Sequence, residues 1–437
     1  MNSTASVSVA VEAVAGARRD ISARAARRRL IFVNRYFFPD LSATSQLLSD
    51  LVRGLNTTDL EIHVICSRQS YDNPHAQLAK CERLLGADIH RCWSSRFGRG
   101  GLAGRAVDYA TFLLTASLQL MRRVNPGDVV VALTDPPMLS VLAAAITRLR
   151  KAHLVNWLQD VFPEVALALG AVRLPGKAAA VLLGLRNWTL RVAACNVVLG
   201  SGMRSFIRAR GITAAAVRII ENWADPDGIT PLAPERSSLR RSLCSGSRFV
   251  VQYSGNMGRA HEHETLLGAA LELRLEKDWL FLFVGGGASM QSLRQRAEQI
   301  GLQNMCFLPL QRREDLGDSL AAGDVHVTCL LPSLEGLIVP SKLYGILAAG
   351  RPVIVIGDAD GEQARVVRGA RCGSVITCGN SAGLVEELRR MRAEPEWVAE
   401  AGRNARYLFE RRYTLTSAIQ KWRQLLEEVA SPVTPIR

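Results

Sequence analysis

Pro332-Ser-Leu-Glu-Gly-Leu-Ile-Val-Pro-Ser-Lys-Leu-Tyr-Gly-Ile-Leu-Ala-Ala-Gly-Arg-Pro352 lies between two short apolar runs, Val325–Cys329 and Pro352–Ile356. Its first part is a loop with one carboxylate, Glu335, and its second, Lys342–Ala349, has helical composition. Pro340 and Ser341 suit a helix start, with Ser341 as the cap, while Gly350 and Pro352 suit its end. Strand, loop, helix, strand is a βαβ unit, and such units build parallel sheets covered by helices. Lys342 is the odd residue in that unit, because a cation in the first helical turn opposes the helix dipole. A phosphate bound there would account for it; an ordinary loop–helix–strand connection is the alternative.

The same alternation runs outward in both directions. Towards the N-terminus the second half shows strands at Phe249–Tyr253, Trp279–Val284 and Met305–Leu308, with helices at Glu264–Arg274 and Met290–Ile300. The first half shows strands at Leu30–Asn34, Glu61–Cys66, Val129–Leu133, Leu154–Leu158, Cys195–Leu199 and Val217–Ile220, with helices near Ser45–Leu55 and Gly202–Arg210. The expectation is an α/β chain with two facing Rossmann-like domains and a cleft at the carboxyl ends of their strands. The expected boundaries are a disordered basic tail 1–27, an N-terminal acceptor domain 28–222 and a C-terminal domain 223–412. A last helical segment, 413–437, is expected to pack back towards the first domain, and Glu221–Pro234, with three prolines, reads as the linker.

With 437 residues, 48% hydrophobic and 22% charged, the chain is long enough for two cores and is not disordered by composition. A net charge of +14 points to anionic partners: nucleic acid, phospholipid or a phosphorylated substrate. The arginines are dispersed without aromatic interleaving, so no specific nucleic-acid surface is expected. Nine cysteines with no CxxC spacing read as reduced, mostly buried thiols rather than a zinc site. No uncharged apolar run approaches the length of a membrane span.

A second motif, Gln252-Tyr-Ser-Gly-Asn-Met-Gly-Arg-Ala-His261, leaves a strand through glycines that let a backbone approach a ligand, followed by Arg259, whose planar fork suits phosphate. His261 either assists or is a solvated loop histidine, and Gly285–Gly287 is a weaker sign of the same kind. Together the two motifs resemble the donor-binding segments of retaining family-4 glycosyltransferases of the GT-B fold. Within that group the likeness is nearest to exopolysaccharide and O-antigen enzymes, including colanic-acid type fucosyltransferases.

The resemblance implies a nucleotide diphosphate sugar as substrate, with Glu335 on the sugar hydroxyls and the amides of Gly336, Leu337 and Ile338 on the sugar or diphosphate. It implies Gly255, Asn256 and Arg259 at the diphosphate, with Ser341 and Lys342 beside them. The family's second helix carboxylate aligns with Gly345 here, so the ribose needs another partner. Tyr36–Gln46 resembles the acceptor-side loop, with Ser42, Thr44 and Ser45 where glycines are usual. Asn156–Glu164 resembles the segment near the reacting centre, with Asp160 first and Glu164 second as its polar group. A turn or capping role is the alternative for Asp160.

Transfer to a hydroxyl with retained configuration is the implied reaction, of hexosyl type and without a cofactor or a required metal; Asp358-Ala-Asp360 reads as a loop. The implied acceptor is a polyprenyl-diphosphate-linked saccharide, met in the cytoplasm at the inner face of the cell membrane. Val107–Met121, preceded by Arg96, Arg99 and Arg105 and followed by Arg122 and Arg123, suits an anionic membrane surface or is a buried core helix. Lys177–Arg191, with Trp188, is similar. Other classes that fit less well are a sugar-nucleotide epimerase of the same fold, a nucleic-acid binder and a non-enzymatic basic scaffold.

Overall fold

Apolar runs separated by helical segments form parallel strands in a computed structural model that describes residues 28–430 other than 58, 72, 99–100, 172–174 and 244–247. The tail 1–27, Arg99, Cys244 and the end of the segment 413–437 lie outside the described residues. One sheet holds β1 (Arg28–Val33), β2 (Leu60–Ser67), β3 (Cys81–Leu84), β4 (Ala87–Cys92), β5 (Val129–Ala132), β6 (His153–Trp157), β7 (Cys195–Val198) and β8 (Val217–Ile219). Its order is β3-β4-β2-β1-β5-β6-β7-β8, with β3 antiparallel to β4. The second sheet holds β9 (Phe249–Asn256), β10 (Trp279–Gly286), β11 (Met305–Leu308), β12 (Val325–Cys329), β13 (Val353–Ile356) and β14 (Gly373–Ile376).

The second sheet runs β11-β10-β9-β12-β13-β14, the doubly wound order, and its direction of growth reverses between β9 and β12. β12 and β13 are buried along their whole length, as strands covered by helices on both faces must be. The helix Lys342–Ala348 ends as its residues dictate. Gly350 adopts φ +66, its amide donates to Leu347 O at 3.0 Å, and the Arg351 amide reaches Ile346 O at 3.2 Å.

Some elements are absent from the sequence expectation. The β3–β4 hairpin alternates polar and apolar residues, and its exposed side chains hide it from a search for apolar runs. Its turn, Leu85 at φ 54 and Gly86 at φ 83, has the positive φ pair that tight hairpins require. β14 and the helices Ser381–Ala393 and Pro395–Arg412 were likewise unforeseen.

The described residues group into two compact units, one drawn from Met1–Asn156, Val192–Ala194 and Arg423–Arg437, the other from Trp157–Arg191 and Cys195–Trp422. The second unit takes in β7 and β8 because one apolar cluster joins Leu158, Val161, Met203 and Ile207 to Leu330, Leu334, Leu337 and Val339.

Glu221–Pro234 does not begin as a linker. Glu221, Asn222 and Trp223 are all buried. The amides of Asn222 and Gln159 bond each other in both directions, at 2.9 and 3.0 Å. Trp223 stacks on Trp157 at 5.9 Å, and Trp422 meets the same ring edge-on at 4.9 Å. The Glu221 carboxylate accepts Arg412 Nε and Nη2 at 2.9 and 2.8 Å and Lys421 Nζ at 2.7 Å. Burial pushes its pKa up, but Lys421 and then Arg412 outweigh burial and leave it below the ordinary value. The carboxylate therefore stabilises the fold at neutral pH and loses that effect as acid protonates it. Glu221→Ala should lower the unfolding free energy by about 1–3 kcal/mol, read as an earlier urea midpoint at pH 7, whereas an unchanged midpoint would remove the ion triad from the stability argument.

Candidate functional site

Where the second sheet reverses, the loops leaving β9 and β12 meet at the carboxyl ends of the strands, and both sequence motifs fall on them. The first loop is seated by glycines. Gly255 has φ +117 and its register partner Gly285 φ +138; a Cβ on Gly285 would lie 2.3 Å from Gly255 O. The Met257 amide donates to Gly286 O at 2.7 Å, and the Ser289 amide to Met257 O at 3.0 Å. Gly285–Gly287 thus supports the first loop from behind, backbone on backbone.

Lys342 reaches into this loop. A Cβ on Gly255 would lie 3.1 Å from Lys342 Cε, so the glycine leaves room for the lysine stem. Lys342 Nζ lies 3.0 Å from His261 Nε2 and 5.2 Å from the centre of the Tyr253 ring. Among the described residues it makes no ion pair. Burial pushes its pKa down to about 8. Burial, and then the Lys342 charge, push His261 down to about 3, so the imidazole is neutral. Arg259 and Asn256 are exposed beside it, and Arg259 also lacks an ion pair among the described residues.

The second loop differs in part from expectation. Ser341 holds the N-cap position with ψ −13, and its side chain makes no capping bond, because a capping hydroxyl needs extended backbone at that residue. The amides of Leu337 and Ile338 were expected to face a ligand. Both instead donate to Leu334 O, at 3.0 and 3.2 Å, closing the turn in which Gly336 has φ +74.

This turn holds the segment that carries Asp160: Asp160 bridges Ile338, and the Val161 amide donates to Leu337 O at 2.9 Å. Asp160 is therefore brought to the Glu335 loop. Glu164 is not, since it pairs with Arg186 and, at 3.3 Å, with Arg210.

Glu335 is half-buried, and burial raises its pKa although the Glu362 amide donates to Oε2 at 3.2 Å. Glu362 escaped the sequence reading. It accepts the Gly202 amide at 2.9 Å and Ser201 Oγ at 2.8 Å, so it ties the Glu335 loop to the helix Ser201–Arg208. Its signal was Gly361, where a Cβ would stand 2.4 Å from Glu335 Oε1. Asp358-Ala-Asp360 is a turn, with the Asp360 amide on Asp358 Oδ1 at 2.8 Å.

In the first unit the loop Tyr36–Gln46, expected on the acceptor side, follows β1, where that sheet reverses between β1 and β5. Ser45 is buried and its hydroxyl donates to Asp40 O at 3.0 Å, so the turn occupies the group expected to meet an oxyanion. The Ser42 amide donates to Asp40 Oδ1 at 2.8 Å; Thr44 is half-buried. Beside them the Arg35 amide donates to Asp135 O at 2.8 Å, and the Arg35 guanidinium lies between Tyr36 and Tyr109. A cavity lined by Arg28, Arg29, Asp59, Leu60 and Arg423 sits at the amino ends of β1 and β2, the end of a parallel sheet that does not gather its functional loops.

Glu61, His63 and Asp88 bring three possible metal ligands within 4.8 Å. Hydrogen bonds already assign their protons. Arg123 Nη2 can only donate, at 3.1 Å to His90 Nδ1, so the His90 proton is on Nε2 and donates to His63 Nδ1 at 3.2 Å. His63 then donates from Nε2 to Glu61 Oε1 at 2.9 Å. Each ring nitrogen in the chain has its partner, Arg29 lies 3.6 Å from Glu61 and 3.5 Å from His63 Nε2, and Asp88 faces Arg83 at 3.8 Å.

Two doubly wound sheets, each with its loops gathered at a reversal, define the GT-B class of fold. The chain belongs to the glycosyltransferases: residues 43–223 match the family described as Glycosyl transferase 4-like domain, and residues 236–407 match Glycosyl transferases group 1. WbjE of Pseudomonas aeruginosa, named as a glycosyltransferase, is 29% identical over 60% of this chain, and the match spans 65% of WbjE, just under two thirds of its length. WcaI of Escherichia coli, named as a colanic acid biosynthesis glycosyl transferase, is 26% identical over 74% of this chain and 82% of its own. HepE of Anabaena, solved in complex with UDP-glucose, shares the fold with a TM-score of 0.68 at 16% identity, over 92% of this chain and 99% of its own.

The histidine chain sets a pH dependence. Burial, then Arg123 and His63, push His90 from 6.5 down to about 4. A histidine held neutral contributes its full stabilisation above pH 6.5 and loses it as pH falls towards 4, because an added proton puts two donors face to face. The melting temperature should fall across that window in wild type and fall less in His90→Gln; parallel curves for the two proteins would contradict the chain.

Proposed function

We propose that this chain is a retaining glycosyltransferase that moves a hexosyl-type sugar from a nucleotide diphosphate sugar to a polyprenyl-diphosphate-linked saccharide in exopolysaccharide or O-antigen assembly. The observation that carries the reading is Lys342, a half-buried ammonium with no ion pair among the described residues, at the strand ends where the sheet reverses. A half-buried cation without an anion is unfavourable by itself, and a diphosphate would supply the missing charge. Arg259, exposed on the loop that carries His261 and without an ion pair among the described residues, is a further cation. HepE, bound to UDP-glucose in the same fold, supports a nucleotide diphosphate as the anion.

In this reading the bond from the sugar C1 to the diphosphate oxygen breaks, and its electron pair leaves with the diphosphate. Lys342 and Arg259 stabilise that charge, which asks for no metal or cofactor. Glu335 holds the sugar hydroxyls, with Gly255, Asn256 and Gly336 shaping the loop around it. The acceptor hydroxyl bonds C1 from the face the diphosphate leaves, its proton passes to a departing phosphate oxygen, and Asp160 lies beside the reacting centre. Ser42 and Thr44 serve the acceptor side. Calorimetric titration with UDP, GDP and dTDP sugars should show one nucleotide class bound by wild type, with Kd raised about 10- to 100-fold in Arg259→Ala and Lys342→Met, about 1.4–2.8 kcal/mol. Binding of none of the three by folded wild type would end the reading.

The same proposal places the enzyme in the cytoplasm, peripherally on the inner face of the cell membrane. No described helix is long and apolar enough to cross a membrane. The helix Leu102–Arg123 is nevertheless not a buried core helix: Val107, Leu114 and Leu118 are exposed on it, next to exposed Trp93 and Phe97 and with Arg122 at its end. An apolar and aromatic face rimmed by arginines suits anionic headgroups. Wild type should co-sediment with phosphatidylglycerol vesicles and not with phosphatidylcholine vesicles, and Leu114→Asp with Leu118→Asp should weaken this at least tenfold. Equal sedimentation of the double variant would remove the helix from the membrane contact.

A further inference from the structure

We infer that His261 is a positioning residue for the donor diphosphate: its Nε2 holds the Lys342 ammonium in the loop after β9 so that the remaining N–H groups face the bound phosphates. The inference rests on the transferase reading above and assigns a role to a side chain that the sequence left open between assistance and solvation.

Geometry supports it from both sides of the ring. Lys342 Nζ is 3.0 Å from Nε2, while Nδ1 is 3.2 Å from Gly258 O and 3.1 Å from the Gly258 amide nitrogen. Two proton arrangements satisfy these contacts. With a charged lysine, Nδ1–H donates to Gly258 O and Nε2 accepts from the ammonium. With a neutral lysine, Nε2–H donates to Nζ and Nδ1 accepts from the Gly258 amide. A phosphate dianion beside Nζ selects the first, since only that form carries charge to meet it.

The ring itself cannot drift. Gly258 O also receives the His261 amide at 3.1 Å and Ser289 Oγ at 3.1 Å, so the carbonyl that orients Nδ1 is fixed by the β10 side. Tyr253 closes the edge of the imidazole at 6.3 Å between ring centres. Lys342 Nζ faces the Tyr253 ring from β9 and His261 from the loop, and it feels Cys329 on β12, whose thiol is pushed up to about 12 by burial and stays neutral. None of these is a carboxylate. His261 is thus the side chain that gives the half-buried ammonium a directional acceptor, and without it the stem is free to turn from the loop.

The test compares wild type, His261→Phe, which keeps the ring volume and removes the acceptor, and His261→Asn, which restores an acceptor oxygen. UDP, GDP and dTDP are titrated into each from pH 6.5 to 9.5, with circular dichroism as the check on folding. For the diphosphate that wild type binds, affinity should fall as pH rises through about 8, where the ammonium loses its proton. His261→Phe should raise Kd about tenfold at pH 7 and move that fall to lower pH, and His261→Asn should return Kd to within about threefold of wild type. A folded His261→Phe with wild-type Kd and pH profile would overturn the inference and leave the transferase reading intact. Failure of wild type to bind any of the three would overturn both. A loss of affinity in His261→Phe that His261→Asn does not recover would reduce the histidine to a space-filling role and also overturn the inference.

Discussion

A half-buried ammonium needs a directional partner, and in this protein Lys342 Nζ finds it at His261 Nε2, 3.0 Å away, rather than at a carboxylate. Gly255 leaves room for the Lys342 stem, and the loop after β9 lies where it does because Gly285 and Gly287 let the two strand exits touch backbone to backbone. Among the described residues no carboxylate pairs with Nζ, and a half-buried charge without an ion pair is costly for stability, which marks the position as a candidate site.

The loop after β12 faces a different demand, which is to hold one carboxylate steady. Glu335 is clamped by the Glu362 amide and by the absence of a side chain at Gly361. Glu362 in turn bonds the start of the helix Ser201–Arg208, and the turn at Leu334–Ile338 bonds Asp160 and Val161. Residues far apart in sequence are therefore held against one loop by hydrogen bonds and by the apolar cluster around Leu334 and Leu337. That cluster also explains why β7 and β8 group with the second unit although their strands belong to the first sheet.

Much of the fold was legible in the sequence because parallel strands covered on both faces must be continuously apolar. β11 and β12 fall on the expected residues, and the helix Lys342–Ala348 ends at the glycine its composition marks. The β3–β4 hairpin was not legible, since an alternating strand with exposed residues lacks that signal. The site was legible in its residue types and less so in their roles. Arg259, Lys342, Glu335 and Asp160 stood out as charges in apolar or loop contexts. The amides of Leu337 and Ile338 and the hydroxyl of Ser45 could not be judged, because whether a donor is free depends on which neighbour accepts it.

The sequence by itself determined the two doubly wound sheets, the loops that form the candidate site and the cations Arg259 and Lys342 on them. Periodicity, glycine positions and charge are local properties, and they survive in a linear reading. Only the tertiary structure decided that Lys342 lies on His261, that Glu362 supports Glu335, that Glu221 anchors Arg412 and Lys421, and that the helix Leu102–Arg123 exposes an apolar face. Those are pairings between distant segments, and their energies depend on burial and direction, which exist only once the chain has folded.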